Sequence, residues 1–129
     1  MPILYLIAAL FCFLLGLVHS LLGERLIFRK KRAQGQLVPT LGKPGLAEAH
    51  LRIIWATWHL ASVLGWGIGV ILLQLYLHSS EVPAEILGWT KGAIGLSMGL
   101  GGLLVGYGTK GRHPGWMVLG LIALLSWLA

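Results

Sequence analysis

The stretch of fifteen residues from Val18 to Arg32, V-H-S-L-L-G-E-R-L-I-F-R-K-K-R, constrains this chain more than any other. It passes from sequence that hydrocarbon accepts, through His19 and Glu24, into a block of fixed positive charge. Arg25, Arg29, Lys30, Lys31 and Arg32 do not cross a bilayer, so a helix arriving from Ile3 stops here with this end on the cytoplasmic side. His19 and Glu24 lie just inside that stop, where an unpaired charge costs on the order of several kcal/mol. Both therefore need partners from elsewhere in the chain.

The composition suits a bilayer as solvent. Hydrophobic residues make up 57% and charged residues 11%, whereas charged residues are about 25% of a soluble domain. The net charge of +6 would suit nucleic acid, but five of the ten Lys and Arg flank the first apolar segment and no aromatics interleave with them. The charge is an orientation signal, and nucleic acid is excluded as a partner. The lone Cys12 lies inside an apolar run, which rules out a disulfide framework.

Apolar length and turn residues predict an all-α, polytopic membrane protein. Its four transmembrane helices, over about 3–28, 46–77, 86–108 and 114–129, form an antiparallel bundle in one domain of residues 1–129. A basic loop over about 29–45 is broken by Gly35, Pro39, Gly42, Pro44 and Gly45. Its Arg29, Lys30, Lys31 and Arg32 are candidates for anionic lipid head groups, each worth about 1 kcal/mol at a membrane surface. The loop at His78–Pro83 carries acid and no Lys or Arg, and Lys110 and Arg112 mark a second inner turn. Both termini are thus expected outside the cytoplasm, in the inner membrane of a bacterium. Trp89 and Trp127 outside, with Trp55, Trp58 and Trp116 inside, are expected at the interfaces.

Helical wheels assign the faces. His19 shares a face with Ala8, Cys12, Gly16 and Gly23, small residues that admit a neighbouring backbone, and Ser20 and Glu24 form the next stripe. His59 shares a face with Arg52, Trp55, Ser62 and Trp66. Ala61, Gly65 and Gly69 form a separate small-residue face for close helix contact. Gly88, Gly92, Gly95, Gly99, Gly102 and Gly106 recur at steps of four and three, a seam for another helix.

The motifs H-S-x-x-G-E at His19–Glu24, W-H at Trp58–His59 and H-P-G-W at His113–Trp116 resemble those of a group of small four-helix bacterial integral membrane proteins. The resemblance implies location and topology, and no activity.

Three classes of function fit the pattern. The first, which needs no ligand, is a non-catalytic accessory or scaffold subunit, in a homo-oligomer or larger membrane complex, with polar residues bridging helices. The second is a metal or b-haem site. His19 and His59 would be cofactor ligands, with Glu24 and His113 completing a metal set of His19, Glu24, His59 and His113. The third is a proton or small-solute path through His19, Glu24 and His59. His19 and His59 lie at one depth, about 13 Å from their helix ends. They are therefore expected to face each other, with Glu24 and His113 closing the mouth. No H-E-x-x-H signature for metal-dependent hydrolysis is present.

The charge pattern makes a topology prediction. A reporter that works only in the cytoplasm should be inactive when fused after Ala129 and active when inserted in the loop at 29–45.

Overall fold

The computed structural model describes residues 1–42 and 44–129; Lys43, within the expected basic loop, lies outside the described residues. Among the described residues the architecture is all-α, with four long helices and no strand. α1 spans Ile3–Gly23, α2 Glu48–His78, α3 Ala84–Gly108 and α4 Gly115–Leu128. The stretch Ile3–Lys31 and α2 are each long and apolar enough to cross a membrane.

The helix ends have local causes. Ala47 is extended, with ψ of 155°, so α2 starts at Glu48 and not at Leu46. Pro83, with ψ of 137°, starts α3 at Ala84, ahead of the expected Ile86. Pro114 precedes α4 instead of opening it, and the His113 ring accepts the Gly115 N–H at 3.1 Å, satisfying one of the free donors of the first turn. A Cβ at position 115 would lie 2.8 Å from that ring nitrogen, which explains the glycine of H-P-G-W.

The first helix departs from uniform pitch. Glu24–Phe28 is a π turn and Arg29–Lys31 a 3₁₀ turn, so the helical path is continuous while its winding changes at Glu24. Such insertions turn the following side chains onto a new face.

α1 is the central element, packing against α2 on one side and α4 on the other, while α3 packs against α4. The Met1 amino group donates to the Ala129 carbonyl at 3.1 Å, so the two chain ends meet opposite the basic loop. The core lies toward that end, around Tyr5, Ala8, Cys12, Leu72, Met98 and Ile122. α2 and α3 make no extended contact, and the bundle is open between them.

Indoles laid over glycines join the helices within each pair. Trp66 of α2 covers Gly16 and donates to the Phe13 carbonyl at 3.2 Å; Trp58 covers Gly23 and donates to the His19 carbonyl at 3.0 Å. In the other pair, Trp127 of α4 lies against Gly95. The Trp116 carbonyl comes within 3.1 Å of where a Cβ on Gly102 would stand, and its side chain within 3.6 Å of one on Gly106. The expected glycine seam therefore faces α4 from Gly95 to Gly106, whereas Gly88 and Gly92 meet nothing within 4 Å. Trp58 is half-buried against Gly23, whereas Trp127, although it lies against Gly95, is 64% exposed and Trp89 75% exposed.

The small face of α2 is only partly used for helix contact. Gly69 closes on α1, where a Cβ would lie 3.2 Å from the Cys12 Cβ, but Gly65 meets nothing within 4 Å.

These contacts sort glycines by consequence. Gly16→Leu and Gly95→Leu should each destabilise the bundle by about 3 kcal/mol or more through overpacking. Gly65→Leu and Gly88→Leu should leave it folded. Thermal unfolding in detergent checks all four.

Candidate functional site

The ionisable residues that the first helix carries toward its basic end are gathered by α2. Trp55, His59, Ser62 and Trp66, the face expected from the wheel, all bond to α1 or its continuation, whereas Arg52 turns outward and pairs with Glu48 at 2.9 Å. At the centre is Glu24, the first residue of the π turn. Its Oε1 accepts from the Trp55 indole at 2.6 Å and from His59 Nε2 at 2.9 Å. Its Oε2 is ion-paired with Arg32, which folds back from the far side of the 3₁₀ turn.

The network continues inward. His59 Nδ1 and Ser20 Oγ are 2.9 Å apart, and Ser20 Oγ lies 2.9 Å from the Oγ of the buried Ser62. Because Glu24 accepts from Nε2–H, a neutral His59 has its lone pair on Nδ1 and receives the Ser20 hydroxyl proton there. A protonated His59 donates to Ser20 instead, and Ser20 in turn donates to Ser62. The chain Ser62–Ser20–His59–Glu24 is complete in either state. Phe28, fully buried, packs 5.9 Å from Trp58 and 6.1 Å from His59 between ring centres, and shields one side of the network.

His19 is placed differently from expectation. It stacks on Trp58, with ring centres 4.3 Å apart and planes 7° from parallel, while the residues that follow these two in sequence, Ser20 and His59, pair with each other. The two histidines therefore occupy adjacent rungs of the α1–α2 contact, each on its own partner. Glu24 joins His59 and not His19. His113 lies across the bundle, at the start of α4.

His19 and His113 line a cavity of about 810 Å³ between the two helix pairs. Its walls are otherwise mostly apolar: Cys12, Leu15 and Gly16 from α1, Ala61, Gly65 and Ile68 from α2, and residues of α3 and α4 opposite. It runs along the side left open between α2 and α3. Ser62 touches it, so the hydrogen-bonded chain ends at its wall.

For a metal or haem, the donor set is unfavourable as it stands. Both nitrogens of His59 are engaged, and His113 Nδ1 accepts from Gly115, which leaves the proton of the neutral ring on Nε2. Among the described residues, no three His, Cys, Asp or Glu side chains come together in a way that would hold a metal ion. Of the lipid-facing candidates, Arg29 and Lys30 are exposed and Lys31 half-buried, while Arg32 is turned inward to Glu24.

Sequence reasoning missed the ion pair of Arg32 and the hydroxyl pair Ser20–Ser62. The wheel that set Ser20 beside Glu24 and Ser62 beside His59 already contained the latter. No protein family matches the chain, and neither does any curated protein or solved structure.

Removing one partner from this network leaves the others desolvated. Glu24→Ala should cost about 2 kcal/mol and His59→Ala about 1 kcal/mol, with the double variant well short of their sum. A double-mutant cycle of unfolding in detergent measures the coupling.

Proposed function

We propose that this chain is a four-span integral protein of the bacterial inner membrane, with both termini outside the cytoplasm, acting as a non-catalytic accessory or scaffold subunit. The observation that carries the reading is the closure of the polar cluster. Glu24, His59, Ser20, Ser62 and Trp55 direct their polar groups to one another, and Arg32 pairs with Glu24 through one guanidinium nitrogen while its buried Nε meets no partner among the described residues. An active site needs an acid, base or nucleophile free to meet substrate, with a partner that activates it. Within this cluster the carboxylate of Glu24 and the ring of His59 engage each other. Interhelical hydrogen bonds of this kind fix the pairing of helices that hydrophobicity alone does not distinguish in lipid.

Four spans are supported by the outward side chains. Leu96, Leu100 and Leu103 of α3, with Leu121 and Leu124 of α4, are exposed, as are Leu10, Leu14 and Leu17 of α1. Water would not tolerate so large an apolar surface on a single chain. The motif resemblance and the basic turns at one end of the bundle point the same way.

A second reading, a proton path, is favoured by one observation: the Ser62–Ser20–His59–Glu24 chain keeps its hydrogen bonds in both protonation states of His59.

An accessory subunit travels with what it serves. Solubilised from its own membrane in mild detergent, the 14.0 kDa chain should elute within a larger assembly, and Glu24→Ala should release it. Elution alone, together with proton flux in vesicles that His59→Ala abolishes, would replace this reading with the second.

A further inference from the structure

We infer that the cavity between the helix pairs is a binding site for one anionic phospholipid, with its phosphate at the His113 end and an acyl chain along the opening between α2 and α3. The inference rests on the four-span reading. Without a bilayer there is no lipid to enter from the side.

The cavity has the build of an amphiphile site. Its volume of about 810 Å³ falls within the roughly 300–1,000 Å³ typical of small-molecule pockets. It extends along α3 from Ser97 to Gly108, a length of about 16 Å at the α-helical rise. Along this length the walls are mostly Leu, Ile, Val, Met and glycine, with the Ser62 and Ser97 hydroxyls among them. The His19 and His113 rings and Thr109 lie toward the basic end. A ligand with one polar end and a long apolar remainder matches this distribution, whereas a uniformly apolar helix would leave that end unpaired.

Charge selects the head group. Because the Gly115 N–H occupies His113 Nδ1, the neutral ring offers an N–H from Nε2, a donor that asks for an oxygen acceptor. Lys110 and Arg112, in the same turn as Thr109 and His113, are exposed and make no ion pair among the described residues. The carboxylates that face this end are committed, Glu24 to Arg32 and His59, and Glu48 to Arg52. The end is thus positive and lacks a free anion of its own. Basic pockets between spanning helices at the cytoplasmic side are where acidic head groups bind.

Gly65 and Gly108 provide the test, since both line the cavity and an added Cβ at either meets nothing within 4 Å. Leucine at Gly65 fills the acyl channel and leucine at Gly108 fills the head-group end, each without a clash in the fold. The purified chain is titrated with phosphatidylglycerol or phosphatidylcholine of matched chains and the bound lipid counted by native mass spectrometry, with helicity and melting recorded for every variant.

One phosphatidylglycerol should remain bound per chain, and phosphatidylcholine should bind about tenfold more weakly, because its choline cation offsets the attraction of Lys110 and Arg112 for the shared phosphate. Gly65→Leu and Gly108→Leu should each abolish the adduct while the melting temperature holds. His113→Ala should weaken both lipids alike, and Lys110→Gln combined with Arg112→Gln should erase the preference between them. A variant with Arg29, Lys30 and Lys31 all changed to Gln should keep the adduct.

Equal binding of both lipids would overturn the head-group assignment. An adduct that survives Gly65→Leu and Gly108→Leu but is lost with the three Gln substitutions would place the lipid on the loop surface. A lipid-free dimer disrupted by Gly65→Leu would assign the opening to a second copy of the chain. If reporters show four spans and no lipid binds, this inference fails while the topology stands.

Discussion

Glu24 is the carboxylate on which the α1–α2 half depends. It accepts from Trp55 and His59 on α2 and from Arg32 beyond the 3₁₀ turn, so one side chain joins a helix, its neighbour and the start of the loop between them. Even half-buried, as Glu24 is, a carboxylate left without donors costs more than the net value of any one of its bonds. Its demand for donors therefore pulls three segments to one point and fixes the register of α1 against α2. That register in turn sets Trp58 over Gly23 and Trp66 over Gly16. Once it is set, Ser20 meets both His59 and Ser62.

The two halves of the bundle solve one problem in related ways. If all four helices lie in lipid, as proposed above, they gain little by exchanging hydrocarbon for each other, and association relies on close packing and hydrogen bonds. In α1–α2 the indoles cross glycines and donate to backbone carbonyls, which gives both. In α3–α4, Trp127 and Trp116 cross Gly95, Gly102 and Gly106, and the interface rests on shape. The halves meet mainly through α1 and α4, which leaves α2 and α3 apart and the cavity between them.

Much of this was legible from periodicity. Helix number and approximate limits followed from apolar length and from Gly and Pro. The inward face of α2 followed from the spacing of Trp55, His59, Ser62 and Trp66, and the α3 seam from its glycines. What escaped has physical causes. A wheel assumes 3.6 residues per turn, and the π turn at Glu24–Phe28 breaks that assumption where the ionisable residues are. Equal depth placed His19 and His59 on neighbouring rungs without showing that each would take a different partner. Small residues at Ala61, Gly65 and Gly69 say that a neighbour can approach, not that one does. At Gly65 the space is left open.

The π turn also makes this end of the protein sensitive to chain length in a way that side-chain chemistry does not capture. It holds roughly one residue more than an α-helical turn, which sets everything after it back by about 100° around the axis relative to an uninterrupted α-helix. Deleting a single residue between Arg25 and Ile27 would leave hydropathy almost unchanged and let the helix wind regularly. Losing one residue and losing the π offset nearly cancel, so Arg32 would stay close to its present side of the axis. Inserting a residue there would instead carry Arg32 about a quarter turn from Glu24 and re-phase the whole basic segment against the bundle.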